Sequence, residues 1–289
     1  MSVATPPITA SLPVGGLLSP GSQHPPPPGV VVGSPIAAVA SEATLQQKFW
    51  YQDWDDQAHI QELLATMSDE DKSYQQALYE ILSTEQDYLR NLETIHEIFI
   101  VPMAERGLNS DEKVKELFGT LIKLIPLAKN VISELKKCRF KSPLMVGVGD
   151  MFTLESESFR GPYSEYFKGY TKALENLQQR KKKDSQLSSF LKEVSTNPKL
   201  RKISLDGYLL TPVQRVMKYP VLLDAVLKYC PPTNPEHASL KQARQVISKV
   251  VSSLNEEKRR MENIEKIQEV AQTLNFHTVS PPPPQTSHP

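Results

Sequence analysis

Along the middle of the chain, apolar residues recur at spacings of three, four and seven, which places them on one face of a helix. The first such stripe follows residues 68–71, where Ser68 can cap a helix and three acidic residues fill its first turn. Pro102 and Gly107 are expected to mark the end of this helix. Its apolar stripe consists of Leu78, Ile81, Leu82, Leu89, Leu92, Ile95 and Phe99.

Helical spacing continues in the next part of the chain. A second helix is predicted to begin near residues 110–111, and Pro126 should kink or restart it. Residues 151–177 carry large aromatic packing residues at helical spacing. Gly161 and Pro162 lie in the middle of that stretch, so the sequence predicts two helical pieces there.

The remaining segments complete an all-helical pattern. Residues 142–149 are predicted to form a loop, and residues 187–194 a short helix, before a further apolar stripe over residues 203–227. Asn234 is the predicted N-cap of the last helix and Pro235 its first residue. That helix has about 40 residues and could be about 60 Å long. No convincing strand pattern is present, so the predicted fold class is all-α, an elongated bundle of long helices.

Proline is concentrated at both ends of the chain. Nine of the 24 prolines fall in residues 1–35 and five in residues 281–289. These ends lack a helix or strand period and cannot bury a core, so residues 1–48 and 276–289 are predicted to be disordered tails. Either proline run could bind a proline-recognising domain, although a flexible tail is the favoured interpretation. The folded domain is assigned to residues 68–275, a size that suits one hydrophobic core.

Between the first tail and the domain lies an aromatic segment, residues 49–67. It contains Phe49, Trp50, Tyr51 and Trp54, and these include both tryptophans of the chain. Exposed aromatic rings are unfavourable, so the segment is expected to pack on the domain. Two hypotheses remain open: an extra turn that covers the domain, or an inhibitory element that lies over its functional face.

The composition narrows the class of protein. The chain has 33 basic and 33 acidic side chains, without the basic excess that is typical of a nucleic-acid-binding protein. Two cysteines, Cys138 and Cys230, cannot form a disulfide framework, which favours a reducing cytoplasm. No apolar run reaches the 18 residues or so that a membrane span needs, and no secretory signal is evident. We expect a cytoplasmic protein, and recruitment to a membrane or the cytoskeleton stays open.

Motifs of enzyme chemistry are missing from the sequence. We find no phosphate-binding Gly-rich loop followed by Lys-Ser or Lys-Thr, no Cys/His spacing for zinc and no Gly-x-Ser-x-Gly elbow. No catalytic residue, cofactor or metal is therefore expected. An active site assembled from distant residues stays open as an alternative.

One segment is unusual within the helical pattern. Over residues 209–223, Pro212 and Pro220 lie eight positions apart and frame Gln, Arg and Lys residues. Gln214 and Lys218 are four positions apart, so they share one face of a helix. For an arbitrary sequence, this pattern would indicate only a solvated polar face over a core stripe.

This segment resembles the third conserved region of Dbl homology domains, Pro-x-Gln-Arg-Val-x-Lys-Tyr-Pro followed by leucines, at every fixed position. Residues 80–88 are similar to the first conserved region, Glu-Leu-x-x-Thr-Glu-x-x-Tyr, with Ile81 in place of the leucine. Residues 117–135 are similar to the weaker second region. The resemblance covers about 200 residues, which is the whole predicted domain.

The resemblance implies a guanine-nucleotide exchange factor for a Rho-family GTPase such as Rho, Rac or a relative. It implies that Glu80 contacts the first switch of the GTPase, and that Gln214, Lys218 and Asn255 contact the second switch. Such a factor binds the nucleotide-free GTPase best and, by reciprocity, weakens nucleotide binding. No covalent step is involved.

Other matched positions are expected to support the contact residues. Thr84, Glu85, Arg215 and Tyr219 are interpreted as buried or bracing groups, and Glu85 could pair with a basic side chain inside the bundle. Leu210 lies eight positions before Lys218, near the place where family members tune their choice of partner.

Alternatives remain for the function. The domain could be a scaffold that binds a GTPase or another signalling partner without exchange, although the matched contact residues argue against it. A membrane-binding bundle would need a concentrated basic face, and the neutral net charge disfavours one. A pleckstrin homology domain usually follows in the family, whereas a proline-rich end follows Phe276 here. The chain is therefore expected to be either a fragment or part of a protein without that domain, and membrane contact stays open.

Overall fold

The computed structural model describes residues 49–275 except Asp53 and Lys141, and it leaves out the side chains of 261, 262, 265 and 268–275. The two predicted tails lie outside these residues. The α-helices are α1 Gln57–Thr66, α2 Asp69–Ile95, α3 Val101–Glu105, α4 Glu112–Lys137, α5 Val148–Lys183, α6 Ser185–Val194, α7 Leu205–Lys228 and α8 His237–Asn275. No strand occurs in the described part, so the predicted all-α fold is confirmed.

The long helices form one bundle around α5. Helix α5 packs against α4 on one side and α8 on the other, while α2 packs against both α4 and α7. Helices α5 and α8 run parallel, because Arg160 contacts Ser253 and Ser164 contacts Glu257 further along both helices. None of the described helices is long and apolar enough to cross a membrane.

The first long helix begins as the sequence predicts. Ser68 is its N-cap, and the Ser68 hydroxyl accepts a hydrogen bond from the Asp71 amide at 3.1 Å. Beyond Ile95 the chain passes through a π-helical turn, His96–Ile100, and then α3, so helical structure continues past Pro102. The chain turns at Gly107, whose φ of 66° lies in the left-handed region that glycine adopts without strain.

The predicted break at Gly161 and Pro162 is wrong, because α5 is continuous from Val148 to Lys183. A proline inside a helix costs about 3 kcal/mol, since it removes one backbone hydrogen bond and crowds the preceding turn. Phe159 and Tyr163 flank Pro162 and are both 1% exposed. Burial of a large apolar side chain contributes about 1.5–3 kcal/mol, so the two together offset the proline.

Two other helix predictions need correction. Of the kink or restart predicted at Pro126, the restart does not occur, because α4 runs without interruption from Glu112 to Lys137. The last helix begins at His237 rather than at Pro235. Asn234 does accept a hydrogen bond from the Glu236 amide at 2.9 Å, but this bond closes a turn before the helix. The Glu236 carboxylate instead turns inward and accepts from Tyr74 Oη at 2.8 Å and from the Gly147 amide.

The aromatic segment before the domain packs closely on it. Trp50 is 2% exposed, and its amide donates to Gln76 Oε1 at 3.2 Å while its carbonyl accepts from Arg139. The Arg139 guanidinium carbon also lies 5.5 Å from the Trp54 ring centroid and 5.2 Å from that of Tyr79. The segment is more than an extra turn, since it continues into α1.

Candidate functional site

Helices α2 and α7 are joined by a buried ion pair. Arg215 Nε donates to Glu85 Oε2 at 2.8 Å, and the other guanidinium nitrogens donate to Thr84 Oγ1 at 2.9 Å and to the Ile81 carbonyl at 3.3 Å. Glu85 is fully buried and Arg215 is 5% exposed. One side chain of α7 is thus hydrogen-bonded to three residues of α2, which fixes the register between the two helices.

Tyr219 extends this network to a third helix. Its hydroxyl donates to the same Glu85 oxygen at 2.8 Å, and its ring lies 4.6 Å from the Arg215 guanidinium carbon. The ring centroid of Phe159 from α5 is 5.1 Å from that of Tyr219. We call Thr84, Glu85, Arg215 and Tyr219 the brace.

The electrostatics keep Arg215 and Tyr219 each in one protonation state. Burial disfavours the charged form of Arg215, but the charges and hydrogen bonds of Glu85 and Tyr219 together outweigh it and hold the pKa of Arg215 above its usual value. Burial, and then the Glu85 charge, raises the pKa of Tyr219 well above its usual value. Arg215 therefore stays charged and Tyr219 stays a hydrogen-bond donor at neutral pH.

Three of the predicted contact residues surround the brace. Gln214 and Lys218 are exposed and each precedes a brace residue, so the buried groups fix where they emerge from α7. Glu80 is half-buried and precedes Ile81, whose carbonyl accepts from Arg215. Gln214 directly precedes Arg215, and Arg215 donates to the residue after Glu80. Glu80 and Gln214 are therefore separated by about the length of one arginine side chain.

Asn255 lies at the same level of the bundle on α8. It is exposed, and the neighbouring Ser253 hydroxyl is 3.4 Å from Arg160 Nη1 of α5. Arg160 directly follows Phe159, the ring that packs on Tyr219. A continuous chain of contacts thus connects the α8 position to the brace through α5.

The exposed stripe of α7 also carries apolar residues that the sequence motif does not single out. Met217 is 40% exposed and Val221 is 62% exposed, and they alternate with Gln214 and Lys218 at helical spacing. Leu210 begins this stripe but is half-buried and packs against the core. The spacing alone could have revealed Met217 and Val221, because both fall on the polar side of the apolar stripe.

No group of acidic, His or Cys side chains that could hold a metal ion occurs among residues 49–275 as described. The bundle of long helices and the motif on α7 place the chain among Dbl homology domains. Residues 77–255 match the family model of the RhoGEF domain, and the chain belongs to this family.

Relatives and solved structures agree with this assignment. The chain is 34% identical over 203 residues to human Rho guanine nucleotide exchange factor 4, which covers 69% of this chain and 29% of the relative. It is 30% identical over 198 residues to the Myosin-M heavy chain of Dictyostelium discoideum, which covers 68% of this chain and 11% of the relative. The chain therefore spans less than a third of either relative.

The fold is also shared with one chain of a solved crystal structure. In the crystal structure of human RhoA with the DH/PH fragment of PDZRHOGEF, the matching chain superposes with a TM-score of 0.70. The match covers 76% of this chain and 62% of that one, at 23% identity, and so shows that the fold is shared.

Proposed function

We propose that this domain is a guanine-nucleotide exchange factor for a Rho-family small GTPase. The observation that carries the proposal is the arrangement of Glu80, Gln214, Lys218 and Asn255 around one buried brace. Polar side chains at the surface of three different helices normally move independently. Here the packing of α2, α5, α7 and α8 gives them a fixed spacing, which favours recognition of a preformed protein surface.

Exchange would follow from differential binding, without covalent chemistry. In this proposal Glu80 contacts the first switch of the GTPase, and Gln214, Lys218 and Asn255 contact the second. If these contacts are tighter when the nucleotide is absent, the factor must weaken GDP binding by the same free energy. A rigid polar face suits this role, because contacts that adapted equally to both states would shift nothing.

The exposed apolar pair Met217 and Val221 extends the proposed contact surface. The centre of a protein interface is usually apolar and is surrounded by polar groups. On α7 the two apolar side chains lie between and beyond Gln214 and Lys218, so this helix can supply both kinds of contact. The identity of the GTPase within the Rho family is left to experiment.

The test is the release of fluorescent GDP from a panel of purified Rho-family GTPases, with and without this protein. The proposal predicts acceleration for at least one GTPase. Glu80→Ala and Asn255→Ala should each reduce the acceleration about 30-fold or more, as expected for interface side chains that contribute about 2 kcal/mol. Glu70→Ala on α2 and Gln242→Ala on α8 are matched controls, because both residues are exposed and lie elsewhere on the same helices.

A full chain without activity on the panel would require a second variant. Residues 1–48 should then be deleted, and not residues 1–67, because Trp50 is part of the core and its loss would disturb α2 and the turn after α4. Activity of the shortened protein would support inhibition by residues 1–48, while the hypothesis on residues 49–67 stays untested because this variant retains them. If it were also inactive on the whole panel, the exchange proposal would fail for the domain with residues 49–67 in place, and a scaffold role would replace it.

A further inference from the structure

One end of the bundle carries a large excess of positive charge that the composition hides. Between residues 180 and 202 the chain has eight Lys or Arg residues and two Asp or Glu residues, whereas the whole chain has no net charge. This segment forms the end of α5, all of α6 and the turn that leads into α7. The positive and negative charges of this neutral chain are therefore unevenly distributed along it.

The acidic side chains of this segment are already engaged. Those from 180 to 206 each form an ion pair: Asp184 with Arg180, Glu193 with Arg106, and Asp206 with Lys181. The pair distances lie between 2.8 and 2.9 Å. The acidic groups of the segment are thus neutralised within these pairs, and the unpaired charges of the segment itself are all positive.

Five basic side chains from this segment are exposed and have no ion-pair partner among the described residues. They are Lys182, Lys183, Lys192, Arg201 and Lys202. We call these five residues the basic end. Because ion pairs do not hold them, their ammonium and guanidinium groups are free to contact an anionic surface.

The turn that presents two of them is held in place. Arg201 and Lys202 have φ values of 47° and 63°, a left-handed conformation that residues other than glycine rarely adopt. The preceding Leu200 is 1% exposed, and its carbonyl accepts from the Tyr208 hydroxyl at 3.2 Å and from the Ile203 amide at 2.8 Å. The hydrogen bonds and burial of Leu200 therefore hold the turn in place, and this turn carries Arg201 and Lys202 in a strained backbone conformation.

We propose that the basic end binds the anionic surface of a lipid membrane. Lysine is a compact, strongly hydrated point charge on a flexible stem, and four of the five groups are lysines. Such groups bind a diffuse layer of anionic headgroups without needing a defined pocket. A single-stranded nucleic acid would need exposed aromatic rings for stacking, and the only aromatic residue from 180 to 202, Phe190, is 2% exposed.

The test is co-sedimentation of the full chain with vesicles of phosphatidylcholine alone or mixed with phosphatidylserine. Binding is expected only with phosphatidylserine and should weaken as salt is added, because exposed charges are screened. A variant with Lys182, Lys183, Arg201 and Lys202 all changed to Gln should bind at least about tenfold more weakly, since each basic group near an anionic surface contributes a several-fold effect.

A matched control removes the same number of charges from the rest of the bundle. Lys136, Lys137, Lys241 and Lys249 are exposed on α4 and α8, and changing all four to Gln should leave most of the vesicle binding intact. Equal loss in both variants would overturn the proposal, because binding would then depend on net charge alone. The proposal would also be overturned if the full chain did not sediment with phosphatidylserine vesicles, or if it bound an oligonucleotide but not the vesicles.

GDP release in the absence of vesicles provides an independent reference. None of the four substituted residues belongs to the brace or to the proposed contact surface, so the basic-end variant should release GDP from the GTPase at the unaltered rate. Failure of the full chain to bind vesicles, with normal GDP release, would overturn the membrane proposal alone. Loss of GDP release in the basic-end variant would contradict the separation of the two surfaces.

Discussion

At the scale of single residues, the brace is an ion pair inside an apolar core. Removing two charges from water is costly, and their mutual attraction often fails to recover the whole cost. Arg215 also donates to Thr84 and to the Ile81 carbonyl, and Glu85 also accepts from Tyr219, and these hydrogen bonds reduce that cost. We infer that the pair contributes more to the register of α2 against α7 than to net stability.

The first prediction follows because removing one partner of a buried ion pair leaves the other charge buried and unpaired. Arg215→Met keeps much of the length of the side chain but leaves the Glu85 charge buried without a partner, which costs about 3–5 kcal/mol in other proteins. Urea unfolding followed by circular dichroism should show a loss of that size. Lys218→Ala, one turn away and exposed, should stay within about 0.5 kcal/mol of the unaltered protein.

A second substitution separates the buried charge from the lost packing. Combining Arg215→Met with Glu85→Gln removes the charge while an amide oxygen can still accept from Tyr219. This double variant should recover a substantial part of the stability that Arg215→Met loses. Unfolding of Arg215→Met at the same urea concentration as the unaltered protein would show that the ion pair is not the brace we describe.

At the scale of helices, a very close approach lies between the start of α5 and the start of α8. A Cβ atom added at Gly149 would lie 2.5 Å from the Leu240 amide nitrogen and 2.6 Å from the Ser239 carbonyl carbon. These neighbours are backbone atoms of another helix, so they cannot move aside as a flexible side chain would. A side chain at this position would force the two helices apart.

We therefore predict that Gly149→Ala destabilises the protein by about 1–3 kcal/mol or more, the usual cost of overpacking a core. Gly169→Ala is a matched control within the same helix, because a Cβ there would meet no atom within 4 Å. It should raise stability by about 0.4–1 kcal/mol through the unfolded chain. Equal effects of the two variants in thermal or urea unfolding would contradict the close approach.

The sequence predicts these helices well where one apolar face is buried against one neighbour. Such a face repeats at helical spacing, so the start of α2 at Ser68 and the interior of α4 can be predicted. Breaks in a helix are harder to predict than its apolar face. The low helix propensity of proline is a local property, whereas the burial of Phe159 and Tyr163 depends on residues far along the chain. The same reason hides the role of Gly149, whose neighbours lie about 90 residues away.

In the candidate site, too, some features can be predicted from the sequence and others are seen only in the structure. Glu80, Gln214, Lys218 and Asn255 can be proposed from the sequence because the motif around residues 212–220 resembles a known family. The sequence does not show that α5 connects α8 to the brace through Phe159 and Arg160, because these contacts join helices that are distant along the chain. Met217 and Val221 are easily missed, since apolar residues within a helical stripe are usually part of the core.

At the scale of the whole molecule, charge is distributed unevenly over one bundle. The middle of the bundle presents the polar stripe of α7 beside Glu80 and Asn255, and the basic end lies beyond it, where α7 begins. Residues 180–202 carry an excess of six positive charges, so the rest of this neutral chain is negative by the same amount. A domain with this distribution could approach a membrane with one end while its middle remains available to a protein partner.

The central claim is that the surface around the brace prefers a GTPase without nucleotide. The most direct measurement is the affinity of the full chain for one Rho-family GTPase in two states, nucleotide-free and saturated with GDP. Binding that favours the nucleotide-free state by a factor of ten or more, about 1.4 kcal/mol, is the result we predict. Equal affinity for the two states would contradict the claim, because a partner that binds both equally cannot promote release of GDP.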